Sequence, residues 1–113
     1  MVQPARGEIW TVDLSPTRGR EQSGMRPALV LSADTFNAGP AELVVVLPLT
    51  TKVKGIPFHV EIHPPEGGVS QPSYIKCEDI RSISKERLKD RWGAVRNETL
   101  SQVEDRLRIL LDL

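Results

Sequence analysis

The segment of residues 43–49 constrains the fold of this chain more than any other, because it is the strongest strand signal in the sequence. It reads Leu-Val-Val-Val-Leu-Pro-Leu, a run of aliphatic and β-branched residues that favours extended backbone. Its proline lacks an amide hydrogen and is therefore expected at a sheet edge or at a bulge. A strand of this kind needs partners, and the rest of the chain offers several short candidates.

Further segments show the alternation or the aliphatic runs that are typical of strands, and clusters of Pro and Gly separate them. They are residues 8–14, 27–32, 57–62, 73–78 with a bent continuation over 80–83, and 91–95. The short lengths and the frequent breaks predict a small antiparallel sheet that curls into an open barrel.

The C-terminal residues predict the clearest helix of the chain. An apolar stripe at helical spacing runs along it and consists of Leu100, Val103, Leu107, Leu110 and Leu111. Asn97 or Thr99 is expected to cap this helix, Thr99 in a capping box with Gln102. Shorter helical turns are expected within residues 33–40 and 84–88. Because the stripe must cover an apolar surface, the sequence predicts an α+β fold of mainly β character, with the long helix on the open face of the sheet.

The composition places the chain among single-domain proteins without a strong overall charge. Its 113 residues fit one domain, residues 1–113. Lys plus Arg and Asp plus Glu both number 15, so any site for a polyanion must be local. One cysteine, Cys77, excludes an internal disulfide and a Cys-rich metal site, and is expected to be a small buried strand residue. Because neither a signal peptide nor a membrane span is apparent, a cytoplasmic protein is expected.

Several standard sites have no counterpart in the sequence. It contains neither a Gly-rich phosphate loop with a following Lys-Ser/Thr nor a serine elbow flanked by glycines. His59 and His63 lie on a predicted strand and its exit, and they are expected to point in different directions rather than toward one metal ion. We therefore predict neither a metal nor another cofactor.

Eight residues on two predicted turns at strand ends have the side chains that suit a phosphate. They are Arg18, Arg20, Glu21, Arg26, Thr50, Thr51, Lys52 and Lys54. If the two turns share one rim of a curled sheet, they form a basic recess that contains hydroxyls. Guanidinium groups bind phosphate bidentately, hydroxyls stabilise an oxyanion, and a carboxylate accepts a proton. The residues leave a second interpretation open, in which Arg20 and Glu21 face solvent and Arg26 pairs with a carboxylate to close a hairpin.

The sequence resembles the MazF/PemK/Kid family of toxin endoribonucleases in four ordered blocks. The blocks are RGEIW at residues 6–10, DLSPTRGREQ at 13–22, RPALVLS at 26–32, and PLTTK at 48–52 followed by KGIPF at 54–58. The resemblance runs in order from residue 6 to at least residue 83, and the C-terminal helix fits in place.

This resemblance implies an SH3-like barrel of the CcdB/PemK type, a homodimer, and a cognate MazE-like antitoxin as partner. It also implies metal-independent cleavage of single-stranded RNA at a short sequence, through attack of the 2′-hydroxyl that leaves a cyclic phosphate and a 5′-hydroxyl. Arg26 and Thr50 match the catalytic pair of the family, and Glu21 matches a glutamate implicated in some members. The loops around this site are expected to bind the substrate through Arg18, Arg20, Gln22, Thr51, Lys52, Lys54 and Lys76.

Two other functions compete with this interpretation. The related CcdB family of gyrase-poisoning toxins shares the fold, but its activity depends on a Trp-Gly-Ile ending, whereas this chain ends Leu111-Asp112-Leu113. A non-catalytic SH3-like module would need an aromatic groove for proline-rich ligands. With two Trp, one Tyr and two Phe, the chain offers little to build such a groove.

Overall fold

The structure, a computed structural model, describes residues 3–14 and 24–113, and within them the chain forms seven strands and two α-helices. The strands are β1 (Glu8–Asp13), β2 (Met25–Val30), β3 (Leu43–Thr50), β4 (His59–Ile62), β5 (Ser73–Lys76), β6 (Arg81–Ser84) and β7 (Leu88–Ala94). The helices are α1 (Asp34–Asn37) and α2 (Asn97–Leu111), and 3₁₀ turns cover Glu66–Gly68, Cys77–Asp79 and Lys85–Arg87. Each segment predicted as a strand overlaps one of these strands. Neither described helix combines the length and hydropathy needed to cross a bilayer.

Strand β3 lies at the centre of a curved antiparallel sheet with the order β4-β5-β3-β2-β1-β7, and β6 also pairs with β3. Along one edge of β3 the partner changes, because Val46 is the last residue opposite β6 and Leu49 is the first opposite β5. Pro48 was expected at a sheet edge or bulge, and instead it lies in this central strand. The ladder tolerates it there because Pro48 falls at the change of partner, where an amide hydrogen is not required on that edge.

The core consists of two clusters that use alternate residues of the same strands. Ile9, Leu29 and Leu47 belong to one cluster, and their neighbours Trp10, Ala28 and Val46 belong to the other. Strands β1, β2 and β3 are therefore buried on both faces, which explains their nearly continuous aliphatic sequences.

Helix α2 covers the first of these clusters, as its apolar stripe predicted. Val103 and Leu107 are buried in that cluster, and Leu100 and Leu110 pack against it. Leu111 was also assigned to the stripe, but 47% of its surface is exposed. It is the last residue of the helix and lies beyond the turns that contact the core.

The predicted caps of α2 are wrong. Arg96 occupies the N-cap position and no side chain of the helix itself caps it, so neither Asn97 nor a box of Thr99 with Gln102 does so. Thr99 is instead buried in the first turn, where its hydroxyl donates a hydrogen bond to the Glu66 carboxylate. The same carboxylate accepts a hydrogen bond from the Arg96 amide at 3.0 Å. A carboxylate from a distant turn thus replaces a local cap, and its charge is favourable at a helix N-terminus.

The segments around two 3₁₀ turns differ from the prediction. Residues 84–88 form the turn Lys85–Arg87 rather than a short α-helix, because Leu88 already starts β7 and is buried in the second cluster. Cys77 is buried as expected, but it lies in the turn Cys77–Asp79 that ends β5, not in a strand. Burial, assisted by the nearby Glu78 charge, raises the pKa of the Cys77 thiol to about 11.

Candidate active site

A recess of about 280 Å³ lies where β2 begins and where β3 and β5 end. Its lining consists of Arg26, Pro27, Leu49, Thr50, Thr51, Lys52, Lys54, Ser73 and Lys76. Six of the predicted site residues therefore line one cavity, namely Arg26, Thr50, Thr51, Lys52, Lys54 and Lys76. The other predicted residues, Arg18, Arg20, Glu21 and Gln22, lie outside the described residues.

The register of the sheet explains why Arg26 and Thr50 share this recess. In the pairing of β2 with β3, Ala28 lies opposite Pro48, which is the last pair of this ladder. Arg26 comes two residues before Ala28 and Thr50 two residues after Pro48, so both lie just beyond that pair. Side chains two residues apart on a strand project from the same face of the sheet, and both residues line the recess. A guanidinium and a hydroxyl thus reach the same small volume from two adjacent strands.

The Thr50 hydroxyl is oriented by the turn that follows it. Its Oγ1 accepts a hydrogen bond from the Lys52 amide at 3.2 Å, which bends the chain at the end of β3. A hydroxyl that accepts such a bond still carries a hydrogen that it can donate. Thr50 is half-buried, whereas Thr51, Lys52 and Lys54 are exposed along the turn. The hydroxyl is therefore a suitable donor to an oxyanion in the recess.

The recess is basic although the whole chain is neutral. Arg26, Lys52, Lys54 and Lys76 contribute four cationic groups from two strands and one turn. Cationic groups that converge on a concave surface concentrate the positive potential there. This arrangement suits a phosphodiester of a nucleic acid strand.

Lys76 reaches the recess from the last position of β5, and other charged groups surround it. Its Nζ lies 3.5 Å from Oδ2 of Asp79. The Arg81 Nη2 donates hydrogen bonds of 2.8 Å to both carboxylate oxygens of Asp79. No sequence pattern had singled out Asp79 or Arg81.

Ser73 is a lining residue that sequence reasoning missed. It is buried, and its hydroxyl donates to the Gln71 carbonyl oxygen at 2.9 Å. Strand β5 pairs antiparallel with the end of β3, where Thr50 lies opposite Tyr74. No spacing in the sequence indicates this position, because Ser73 comes beside Thr50 only through the pairing of β5 with β3.

The two histidines are held apart by separate glutamates. His59 Nε2 lies 2.8 Å from Glu78 Oε2, and His63 Nε2 lies 2.7 Å from Glu61 Oε2. Among residues 3–14 and 24–113, no group of three metal-binding side chains converges.

The sequence of this chain matches known toxin proteins along almost its whole length. The family model for the PemK-like, MazF-like toxin of type II toxin–antitoxin systems matches residues 5–111. Endoribonuclease MazF9 of Mycobacterium tuberculosis is 40% identical over 113 residues, which cover 96% of this chain and 96% of MazF9.

Solved structures of such toxins have the same architecture. The crystal structure of MazF from Deinococcus radiodurans matches with a TM-score of 0.87 and 32% identity and covers 100% of both chains. A mycobacterial endoribonuclease in complex with its cognate antitoxin matches with a TM-score of 0.78 and 26% identity, covering 100% of this chain and 97% of the other. The matched family model spans far more than half of the chain, and the basic recess lies within that span. The chain therefore belongs to the PemK-like, MazF-like toxin family of type II toxin–antitoxin systems.

Proposed function

We propose that this toxin is a metal-independent endoribonuclease that cleaves single-stranded RNA within the basic recess. The observation that carries the proposal is that Arg26 and Thr50, from two paired strands, line one cavity together with three lysines. The similarity to MazF9, which is named an endoribonuclease, supports the same activity.

The residues of the recess suit a reaction in which the RNA supplies its own nucleophile. The 2′-hydroxyl loses its proton to a base and attacks the adjacent phosphorus, the bond to the 5′ oxygen breaks, and that oxygen takes a proton from solvent water. The products are a 2′,3′-cyclic phosphate and a 5′-hydroxyl. Arg26 neutralises the charge that develops on the phosphorane oxygens, and Thr50 donates a hydrogen bond to one of them. Because a guanidinium keeps its proton in proteins, Arg26 acts through charge rather than as an acid.

Glu21 is the proposed base that takes the proton of the 2′-hydroxyl. The remaining proposed residues bind the RNA on both sides of the scissile phosphate, with Thr51, Lys52, Lys54 and Lys76 on one side and Arg18, Arg20 and Gln22 on the other. A reaction that requires the 2′-hydroxyl distinguishes RNA from DNA at the chemical step.

We further propose that the protein works as a homodimer in the cytoplasm and is neutralised by a MazE-like antitoxin. The match to an endoribonuclease solved with its cognate antitoxin supports this partner. A gyrase-poisoning activity of the CcdB type remains the alternative, and a supercoiling assay with purified gyrase separates the two.

The test is cleavage of a long single-stranded RNA by the purified protein in the presence of EDTA. We expect discrete fragments whose 5′ ends accept phosphate from polynucleotide kinase without prior dephosphorylation. Arg26→Ala is expected to lower kcat/KM about 100-fold or more, because it removes a group that stabilises the transition state. Its melting temperature is expected to stay close to that of the wild type, since Arg26 is exposed.

Arg108→Ala is the matched control, because Arg108 is an exposed arginine of α2 that pairs with Asp105 and does not line the recess. It should cleave like the wild type. An oligonucleotide with one 2′-deoxy sugar at the mapped cleavage site should remain intact. RNA that survives the wild-type protein, or fragments that end in 5′-phosphates, would contradict the proposal.

A further inference from the structure

We propose that Asp79 is a positioning residue of the active site, which holds the Lys76 ammonium against the recess. This inference rests on the proposed ribonuclease function and adds a residue that lies outside the recess lining. Its action is indirect, since Asp79 works through Lys76 and does not contact the RNA.

The sheet brings Lys76 and Arg81 to the same face as Thr50. Thr50 lies opposite Tyr74, so Lys76 two residues later projects from the same face of β5. Arg81 lies opposite Val46, which is four residues before Thr50 and shares its face on β3. One cation thus lies at the recess and another lies farther along the same surface.

The turn Cys77–Asp79 places a carboxylate between these two cations. Asp79 lies three residues after Lys76, and its Oδ2 is 3.5 Å from the Lys76 Nζ. The Arg81 guanidinium fixes the same carboxylate with hydrogen bonds to both oxygens. The side chains of Lys76, Asp79 and Arg81 are only 12%, 17% and 13% exposed, so solvent screens this row of charges weakly.

Buried contacts fix the turn Cys77–Asp79, and they thereby fix the position of the Asp79 carboxylate. Cys77 is fully buried in the first core cluster, and its amide donates to the Phe58 carbonyl oxygen at 3.3 Å. Arg81 is paired into the sheet at β6. The turn therefore fixes the backbone of Asp79, and the Arg81 guanidinium fixes its carboxylate.

Holding Lys76 matters because a lysine side chain is among the most flexible in proteins. Ordering it at the moment of reaction costs rotamer entropy and therefore opposes catalysis. A carboxylate that has already ordered the ammonium removes that penalty from the transition state, as in other preorganised sites. Lys52 and Lys54 lie exposed on a turn, whereas the Lys76 side chain is mostly buried.

The test is a double-mutant cycle with Asp79→Asn and Lys76→Ala, assayed on an RNA oligonucleotide that spans one mapped cleavage site. Asp79→Asn is expected to lower kcat about tenfold while KM changes less than about threefold, because positioning is lost but the charge of Lys76 remains. In the Lys76→Ala background the same substitution should change kcat less than about twofold, since nothing is left to position.

Glu78→Gln is the control, because it removes another carboxylate of the same turn. The Glu78 carboxylate contacts His59. It should leave kcat unchanged. Equal effects of Asp79→Asn with and without Lys76 would overturn the proposal, since they would indicate a general change of charge or of the turn. An equal loss of kcat in Glu78→Gln would overturn it for the same reason.

A second measurement follows Lys76 directly and does not depend on activity. Acetic anhydride should acetylate Lys76 several-fold faster in Asp79→Asn than in the wild type, whereas Lys52 and Lys54 should react equally in both. An unchanged rate at Lys76 would refute the positioning. If the wild-type protein cleaves no RNA, the proposed function fails, and the acetylation rates still decide whether Asp79 holds Lys76.

Discussion

Glu66 is a carboxylate that stabilises a helix start thirty residues further along the chain. Its side chain is only 9% exposed, and this burial alone would raise its pKa. Hydrogen bonds from the Thr99 hydroxyl and the Arg96 amide, together with the Arg96 charge, outweigh burial and lower the pKa below its ordinary value. The folded protein therefore favours the ionised form of Glu66.

We expect Glu66→Gln to lower the free energy of unfolding at pH 7 by about 1–2 kcal/mol, the usual loss for a charged helix cap. Because the pKa is lower in the folded state, the contribution is present above the unfolded pKa of about 4.3. It is lost as the pH falls through the lower folded value. Urea denaturation at a series of pH values should show the two proteins converging in acid.

Glu98→Gln provides the comparison for that substitution. Glu98 lies in the first turn of the same helix and is exposed. Its replacement should change stability by less than about 0.5 kcal/mol at any pH. If the free energies of unfolding of Glu66→Gln and the wild type differed by the same amount from pH 7 to strong acid, the result would contradict the role of the ionised carboxylate.

At the scale of elements, the turn Glu66–Gly68 lies directly against β7. Gly68 has a φ of +80°, and a Cβ added to it would lie 2.4 Å from the Trp92 carbonyl oxygen. Two backbone segments therefore approach each other at a distance that only glycine allows.

Gly68→Ala is expected to destabilise the protein by about 2 kcal/mol or more, because the backbone of β7 must move. Gly24→Ala separates this clash from backbone strain, since Gly24 has the same φ of +80° and, among the described residues, no atom lies within 4 Å of its added Cβ. We expect that variant to lose only about 1 kcal/mol in the same denaturation experiment. Equal losses in both variants would show that the approach to Trp92 is unimportant.

The elements themselves were largely predictable, because their signals are local. The aliphatic run of β3 and the stripe of α2 reflect burial on a strand and on a helix. The cap of α2 was not predictable, since Glu66 comes from a distant turn and no spacing rule connects it to Thr99. The α-helix expected at residues 84–88 was wrong because Leu88 joins the core as a strand residue.

The part of the candidate site at the end of β3 was predictable, because its signal in the sequence is local too. Thr50 and Lys52 follow a clear strand, so their place at its rim could be deduced. Ser73, Asp79 and Arg81 depend on which strands pair with β3, and on the change of partner at Pro48. Glu21 remains a prediction, because it lies outside the described residues.

At the scale of the whole molecule, the surface carries large apolar side chains that a monomer would leave in water. Among the described residues, those at least about a third exposed are Met25, Phe36, Leu43, Val53, Trp92, Ile109, Leu111 and Leu113. Ile109 and Leu111 lie in the last turn of α2, and Leu113 lies two residues beyond the helix. Burial of such side chains between two copies of the chain would remove this apolar surface from water.

We therefore expect sedimentation equilibrium to give twice the chain mass of 12.6 kDa. The apolar side chains should lose water on association, so the dimer should persist in high salt. A mass of one chain over the whole micromolar range would contradict the dimer. A dimer that dissociates when salt is added would instead indicate that charge pairs hold it together.

The carboxylate at the start of α2 also affects where a polyanion can bind. A helix N-terminus normally attracts phosphate groups, because its amides and dipole present positive charge. In this protein the Glu66 carboxylate already accepts hydrogen bonds from the Arg96 amide and the Thr99 hydroxyl, so a phosphate group cannot bind at this helix start without displacing it. The chain as a whole has no net charge, and the attraction for a phosphate backbone is thereby directed to the four cations of the recess. We therefore expect RNA to bind at the recess rather than at the start of α2.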